Sequence, residues 1–132
     1  MKTSFRFVVI DDDPINNALC QIAIKVAVSG AEVKTFTIPE TGFEYISTEY
    51  SRNGKKAILL LDLNMPTMSG WEFLERFERL DEKIKNRLKI YVLSSSVDPR
   101  DKERAASNKN VLDYIIKPLT KEIVVTISSG EQ

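Results

Sequence analysis

Histidine is absent from this 132-residue chain, cysteine and tryptophan occur once each, and glycine and proline five times each. Without histidine there is no Ser-His or Cys-His nucleophile pair and no imidazole-ligated metal site, and the chain cannot itself carry a phosphohistidine. Any catalysis must run on carboxylates, hydroxyls or lysines. The lone Cys20 excludes an intrachain disulfide and any CxxC motif. An excess of either charge is also missing, with 19 Lys+Arg against 19 Asp+Glu. That balance removes the broad basic field that non-specific nucleic-acid or anionic-membrane binding draws on, so neither partner is expected. No apolar run approaches the ~18 residues of a membrane span. The run behind Met1-Lys2-Thr3-Ser4-Phe5-Arg6 stops after about five residues at Asp11, too short for a signal-peptide core. A cytoplasmic location is the expectation.

What is present alternates. The length suits one domain, expected over residues 1–132, since single cores close at roughly 100 to 200 residues. Phe5 to Ile10 is apolar and β-branched, as a strand buried on both faces would be. Ile15, Leu19, Ile22 and Val26 then recur as one stripe of a helix, which Asp13 and Pro14 can start and Gly30 can end. Ala31 to Thr37 reads as a second strand, and Thr37-Ile38-Pro39-Glu40 as a capping box for a helix reaching about Tyr50. Arg52 to Lys56 reads as a polar turn, and Ala57 to Leu61 as the most apolar strand. Ser69-Gly70-Trp71-Glu72 offers another capping box, before Phe73, Leu74, Phe77 and Leu80 at helical spacing. Leu88 to Leu93 is a fourth strand, Asp98-Pro99 opens a fourth helix, Val111 to Ile116 is a fifth strand, and Thr120 to about Ser129 a last helix. The β-branched run Ile123 to Ile127 weighs against that last helix. Five strands alternating with five helices predict a parallel sheet covered on both faces, whose functional site lies at the carboxyl ends of the strands.

Those ends carry a distinctive set of side chains. Strand one ends in Asp11-Asp12-Asp13, strand three in Asp62, strand four in Ser94-Ser95 and strand five in Lys117-Pro118. Carboxylates ~4 Å apart repel by about 4 kcal/mol per pair at an effective dielectric of 20. One lysine does not neutralise three of them. An all-oxygen ligand set with few carboxylates favours a hard divalent ion, Mg2+ before Ca2+.

The segments Val9-Ile10-Asp11-Asp12-Asp13-Pro14, Leu61-Asp62-Leu63-Asn64-Met65-Pro66 through Gly70, Leu93-Ser94-Ser95 and Tyr114-Ile115-Ile116-Lys117-Pro118 resemble a response-regulator receiver domain, from about Phe5 to Ser128. The resemblance implies a flavodoxin-like α/β fold: a five-stranded, doubly wound parallel sheet of order 2-1-3-4-5 with five helices. It implies that Asp62 accepts a phosphoryl group from a histidine kinase or histidine phosphotransfer protein, and that Asp11, Asp12, Asp62 and the Asn64 backbone carbonyl hold Mg2+. Ser94 and Lys117 would bind the phosphoryl oxygens, with a cis Lys117-Pro118 bond. Tyr114 would be the switch aromatic, and Asn64 and Ser95 would modulate dephosphorylation. The chain would not be an enzyme beyond self-catalysed transfer to, and hydrolysis from, Asp62. With only 15 residues after Lys117, output is expected through protein contact over roughly Asp98 to Ser129, by a monomer or weak homodimer with no output domain.

Plainer roles compete at several positions. Asp13 reads as a helix cap before a ligand, Cys20 as a small buried hydrophobe, Met65, Met68 and Trp71 as core, and the charged run Glu72 to Lys89 as a solvated face. Two other functions stand beside the phosphoacceptor: a receiver-like interaction module that is never phosphorylated, and a small aspartyl-phosphate phosphatase using Asp11 and Asp13.

Overall fold

The computed structural model describes residues 5–52 and 55–129. The predicted turn at Asn53-Gly54 and the first four residues of the N-terminal segment lie outside the described residues. Five strands form one sheet: β1 (Arg6–Ile10), β2 (Glu32–Phe36), β3 (Ala57–Leu61), β4 (Leu88–Ser94) and β5 (Val111–Ile116). All are parallel, in the order β2-β1-β3-β4-β5. The central strand β3, Ala57-Ile58-Leu59-Leu60-Leu61, is buried at every position, as a parallel strand covered on both faces must be.

Two separate cores result. Alternation along each strand sends Val8, Ile10, Leu59 and Leu61 to one, with Ile46, Tyr50, Phe73, Phe77 and Ile84. Phe7, Val9, Ile58 and Leu60 go to the other, with Cys20, Ile24, Val124 and Ile127. The helices are α1 (Pro14–Ala27), α2 (Pro39–Arg52), α3 (Gly70–Glu78), α4 (Glu82–Lys85), α5 (Pro99–Ala106) and α6 (Lys121–Ser129). Helices α1 and α6 therefore cover one face, and α2, α3, α4 and α5 the other. Crossing from one face to the other between β2-β1 and β3 opens a switch point beyond the carboxyl ends of β1 and β3.

Local signals at three helix starts act as read, while α2 begins at Pro39, one residue beyond where a cap at Thr37 would start it. Asp13 caps α1, its side chain accepting from the Ile15 amide, and Pro14 follows. Gly30 adopts φ +83° in the turn after that helix, a conformation open to glycine. Ser69 and Glu72 form both halves of a capping box at α3, and Asp98 caps α5. Helix α6 forms despite its β-branched run because Val124 and Ile127 are buried against the sheet.

Two expectations are corrected. The count is six helices, not five: at Asp81 the backbone is extended (φ −56°, ψ 146°), so the periodic run after Ser69 breaks into α3 and the one-turn α4. The apolar stripe of α1 also faces outward: Ile15, Leu19, Ile22 and Val26 are 70%, 52%, 61% and 63% exposed. The face turned to the sheet instead carries Asn16, Asn17, Cys20 and Ile24.

Stability should follow the observed face. Ile22→Gln is expected to change unfolding free energy by no more than about 0.5 kcal/mol, and Ile24→Ala to cost about 2–5 kcal/mol. Urea denaturation of both variants checks this, and a larger loss at Ile22 would mean that α1 packs by its other face.

Candidate functional site

The site grows out of sheet register. Ile10 pairs with Leu61, so the residues that follow, Asp11 and Asp62, leave adjacent strands side by side at the switch point. Backbone bonds hold both: the Asp11 amide donates to the Phe36 carbonyl, and the Asp62 amide to that of Ile10, each at 3.0 Å. Ser94 pairs with Ile116, and the Lys117 amide donates to the Ser94 carbonyl at 2.9 Å, which brings the lysine in from β5. The Lys117-Pro118 peptide is cis, as expected. Gly70, at the start of α3, lies so close beneath Asp62 that a Cβ there would sit 2.5 Å from the Asp62 carbonyl oxygen and 2.9 Å from Leu63 Cα. Only glycine fits between the helix and the strand end.

The expected acids converge. One carboxylate oxygen from each of Asp11, Asp12 and Asp62 can be chosen so that all three lie within 4.8 Å of one another. Asp11 and Asp62 are buried and Asp12 is exposed. Lys117 Nζ stands 2.7 Å from Asp11 Oδ2 and 3.6 Å from Asp62 Oδ1. Burial works against that ammonium, but the hydrogen bond to Asp11 and the charges of both acids outweigh it and hold its pKa above the ordinary lysine value. Asp62 moves the other way. Burial first, and the neighbouring Asp11 charge second, push its carboxyl up to about 6, against the opposing pull of Lys117 and the Leu63 and Asn64 amides.

The other expected residues ring this pair. Ser94 is fully buried, its Oγ accepting from the Ser96 amide at 3.1 Å. Ser95 and Asn64 are exposed in the loops after β4 and β3. Tyr114 is half-buried, and its hydroxyl donates to the Ser96 carbonyl at 2.9 Å. Asp13 is exposed and occupied as a cap, outside the three-acid cluster. Cys20 is buried, and burial pushes its thiol up to about 11, which suits an inert hydrophobe. Met65 and Met68 are core, with Trp71 packed against it, and Arg104 lies 4.3 Å over the Trp71 ring.

Two residues of the site were not legible from strand-end motifs. Asn16 donates to Asp11 Oδ2 at 2.7 Å, and Asn17 to the carbonyls of Asp11 and Phe36 at 3.0 and 3.3 Å. The available signal was their place one helical turn after the aspartates, between apolar residues. The donor set as a whole, three carboxylates with no nitrogen or sulfur ligand, fits a hard divalent cation that would relieve the crowding of like charge.

The family model described as the response regulator receiver domain matches residues 7–128. The chain belongs to the response regulator receiver domain family. A two-component response regulator from Cytophaga hutchinsonii is 30% identical, with a TM-score of 0.87 over 98% of this chain and 97% of that one. A response regulator receiver protein from Dyadobacter fermentans DSM 18053 is 23% identical, with a TM-score of 0.83 over 97% of each chain. The chemotaxis protein CheY4 of Vibrio cholerae shares the fold at 19% identity, with a TM-score of 0.73 over 97% of this chain and 98% of that one. No curated protein sequence is similar enough to count as a match. This receiver domain therefore has the flavodoxin-like fold of its relatives and an acidic pocket at Asp11, Asp12 and Asp62. Among the described residues no helix is long and apolar enough to cross a membrane.

The raised Asp62 pKa carries a sign. A carboxyl titrating at about 6 when folded, against 3.8 for the free group, is disfavoured as the anion by folding. That penalty is absent below pH 3.8, grows as pH rises and is complete above about 6. Asp62→Asn should therefore raise the melting temperature in EDTA at pH 8, by on the order of 3 kcal/mol in stability, and have little effect at pH 4. Thermal unfolding of both proteins at the two pH values measures it, and an equal shift at both would remove charge as the cause.

Proposed function

We propose that this receiver domain is the phosphoacceptor of a two-component system, with Asp62 taking a phosphoryl group from a histidine kinase or histidine phosphotransfer protein. The observation that carries the reading is a buried carboxylate at the switch point with a lysine ammonium 3.6 Å away and two further acids around it. Asp11, Asp12, Asp62 and the Asn64 carbonyl would hold Mg2+. When bound, that ion supplies positive charge that screens the carboxylates from each other and from phosphoryl oxygens.

The chain's own residues do the rest. Above pH 6 the Asp62 carboxylate is ionised and needs no general base. One of its oxygens forms the new bond to phosphorus; the P–N bond to the donor imidazole breaks, and its electron pair stays on the ring nitrogen. Lys117 remains cationic and reaches the phosphoryl oxygens from its position between the two acids. Ser94 Oγ accepts from Ser96, which leaves its hydroxyl hydrogen for a phosphoryl oxygen. Hydrolysis runs by water attack at the same phosphorus, with Asn64 and Ser95 at the exposed rim modulating it. Apart from this self-catalysed chemistry the protein is not an enzyme.

Output then runs through protein contact. Tyr114 ties β5 to the loop after β4 through its bond to the Ser96 carbonyl, and Ser96 in turn bonds Ser94, so a change at Ser94 reaches the tyrosine through Ser96. The α5, β5 and α6 region around it exposes Val97, Leu112, Ile116 and Val125, suited to a protein partner. The receiver domain would work in the cytoplasm as a monomer or weak homodimer, with no nucleic-acid or membrane partner. A phosphatase using Asp11 and Asp13 is disfavoured, because Asp13 is spent on capping α1.

Mass spectrometry after incubation with Mg2+ and acetyl phosphate, or a cognate kinase, tests the reading. One labile phosphoryl group is expected on the wild type and none on Asp62→Asn. A wild type left unmodified by both donors would instead identify a receiver-shaped interaction module.

A further inference from the structure

Asn16 and Asn17 are adjacent, both buried, and bonded to different parts of the same residue. Asn17 Nδ2 serves backbone only, joining the Asp11 and Phe36 carbonyls, and so ties the ends of β1 and β2 to α1. Asn16 Nδ2 serves the carboxylate, at 2.7 Å from Asp11 Oδ2, with Cys20 Sγ 3.6 Å away on its other side. A carboxylate only accepts, so the amide fits there by its NH2 group alone. Lys117 Nζ bonds the same oxygen at 2.7 Å, and the Asp13 amide donates to Oδ1 at 2.9 Å.

These contacts use up one oxygen. An ionised carboxylate offers about four lone-pair sites, two on each oxygen. Asn16 and Lys117 together fill those of Oδ2, and Asp13 takes one on Oδ1. Asp11 is left with a single site, on Oδ1. We propose that Asn16 sets the cation preference of the acidic cluster by keeping Asp11 a one-oxygen ligand. The inference rests on the reading of the cluster as a divalent-cation site and goes beyond it.

The chemistry of the two common hard cations makes this a selectivity device. Ca2+ takes six to eight oxygens and readily uses both oxygens of a carboxylate, whereas Mg2+ demands a small octahedron, keeps waters and takes carboxylates singly. Blocking Oδ2 therefore withholds the extra ligand from Ca2+ and costs Mg2+ nothing. Lys117 shares that block on Oδ2, and the amide contributes its half without adding to the positive charge already there. Asn16 is a positioning residue: it would touch the ligand, not the ion.

Chemical-shift titrations of the full-length 15N-labelled chain with MgCl2 and with CaCl2 test the proposal, on wild type, Asn16→Leu and Asn16→Ala. Leucine keeps the branched shape and alanine favours the helix, so the two variants remove the donor with opposite packing changes. The expected result is a fall of about tenfold in the preference for Mg2+ over Ca2+, the low end of what losing a ligand's supporting hydrogen bond does to affinity for one metal. Both affinities falling in parallel, with their ratio unchanged, would show a purely structural asparagine and overturn the inference. A wild type that binds neither ion would overturn the metal-site reading itself, which is a different outcome.

Discussion

Two carboxylates are buried side by side where β1 and β3 end, with one lysine between them. That crowding is the constraint to which the surrounding structure answers. Sheet register sets Asp11 and Asp62 next to each other, and backbone bonds to Phe36 and Ile10 leave them no freedom to separate. The apolar strands beneath hold the pair out of water, which is why Asp62 titrates at about 6. Lys117 answers from β5, Asn16 and the Asp13 amide from α1, and the Leu63 and Asn64 amides from the following loop. The remaining charge makes a divalent ion and a phosphoryl group fitting occupants.

The same constraint explains what the sequence showed and what it hid. Strand ends were legible because apolar runs, unbroken over residues 7–10 and over Ala57–Leu61 and interrupted once each in β4 and β5, stopped at chemically distinctive residues: Asp11, Asp62, Ser94 and Lys117. Helix starts were legible at Asp13, Ser69 and Asp98 because capping is local. The inward face of α1 was not. Hydrophobic periodicity favoured Ile15, Leu19, Ile22 and Val26, yet the helix turns Asn16 and Asn17 inward, where they donate to the Asp11 carboxylate and to the Asp11 and Phe36 carbonyls that follow β1 and end β2. Cys20 and Ile24 then fill the space behind them. A requirement for hydrogen bonds at the site overrode the pattern of apolar residues, and no window of sequence on α1 alone contains that requirement.

The composition fits this picture. Equal numbers of acidic and basic residues conceal a local excess of acid at one sheet edge, where three carboxylates meet one lysine. The lack of histidine gives the proposed chemistry a direction. A phosphoryl group can arrive on Asp62, but the histidine that donates it must lie outside these 132 residues. Gly70 is the clearest case of geometry that only the fold reveals: its lack of a Cβ lets α3 begin against the Asp62 carbonyl.

A double-mutant cycle between Lys117→Met and Asp11→Asn, followed by denaturant unfolding at pH 8 without divalent ions, tests most directly whether the lysine holds this acid pair together. The account predicts that Lys117→Met is markedly destabilising in the wild type and less so beside Asp11→Asn, with a coupling of at least about 1 kcal/mol. Additive effects would contradict it, because the acids would then be stable neighbours without the lysine.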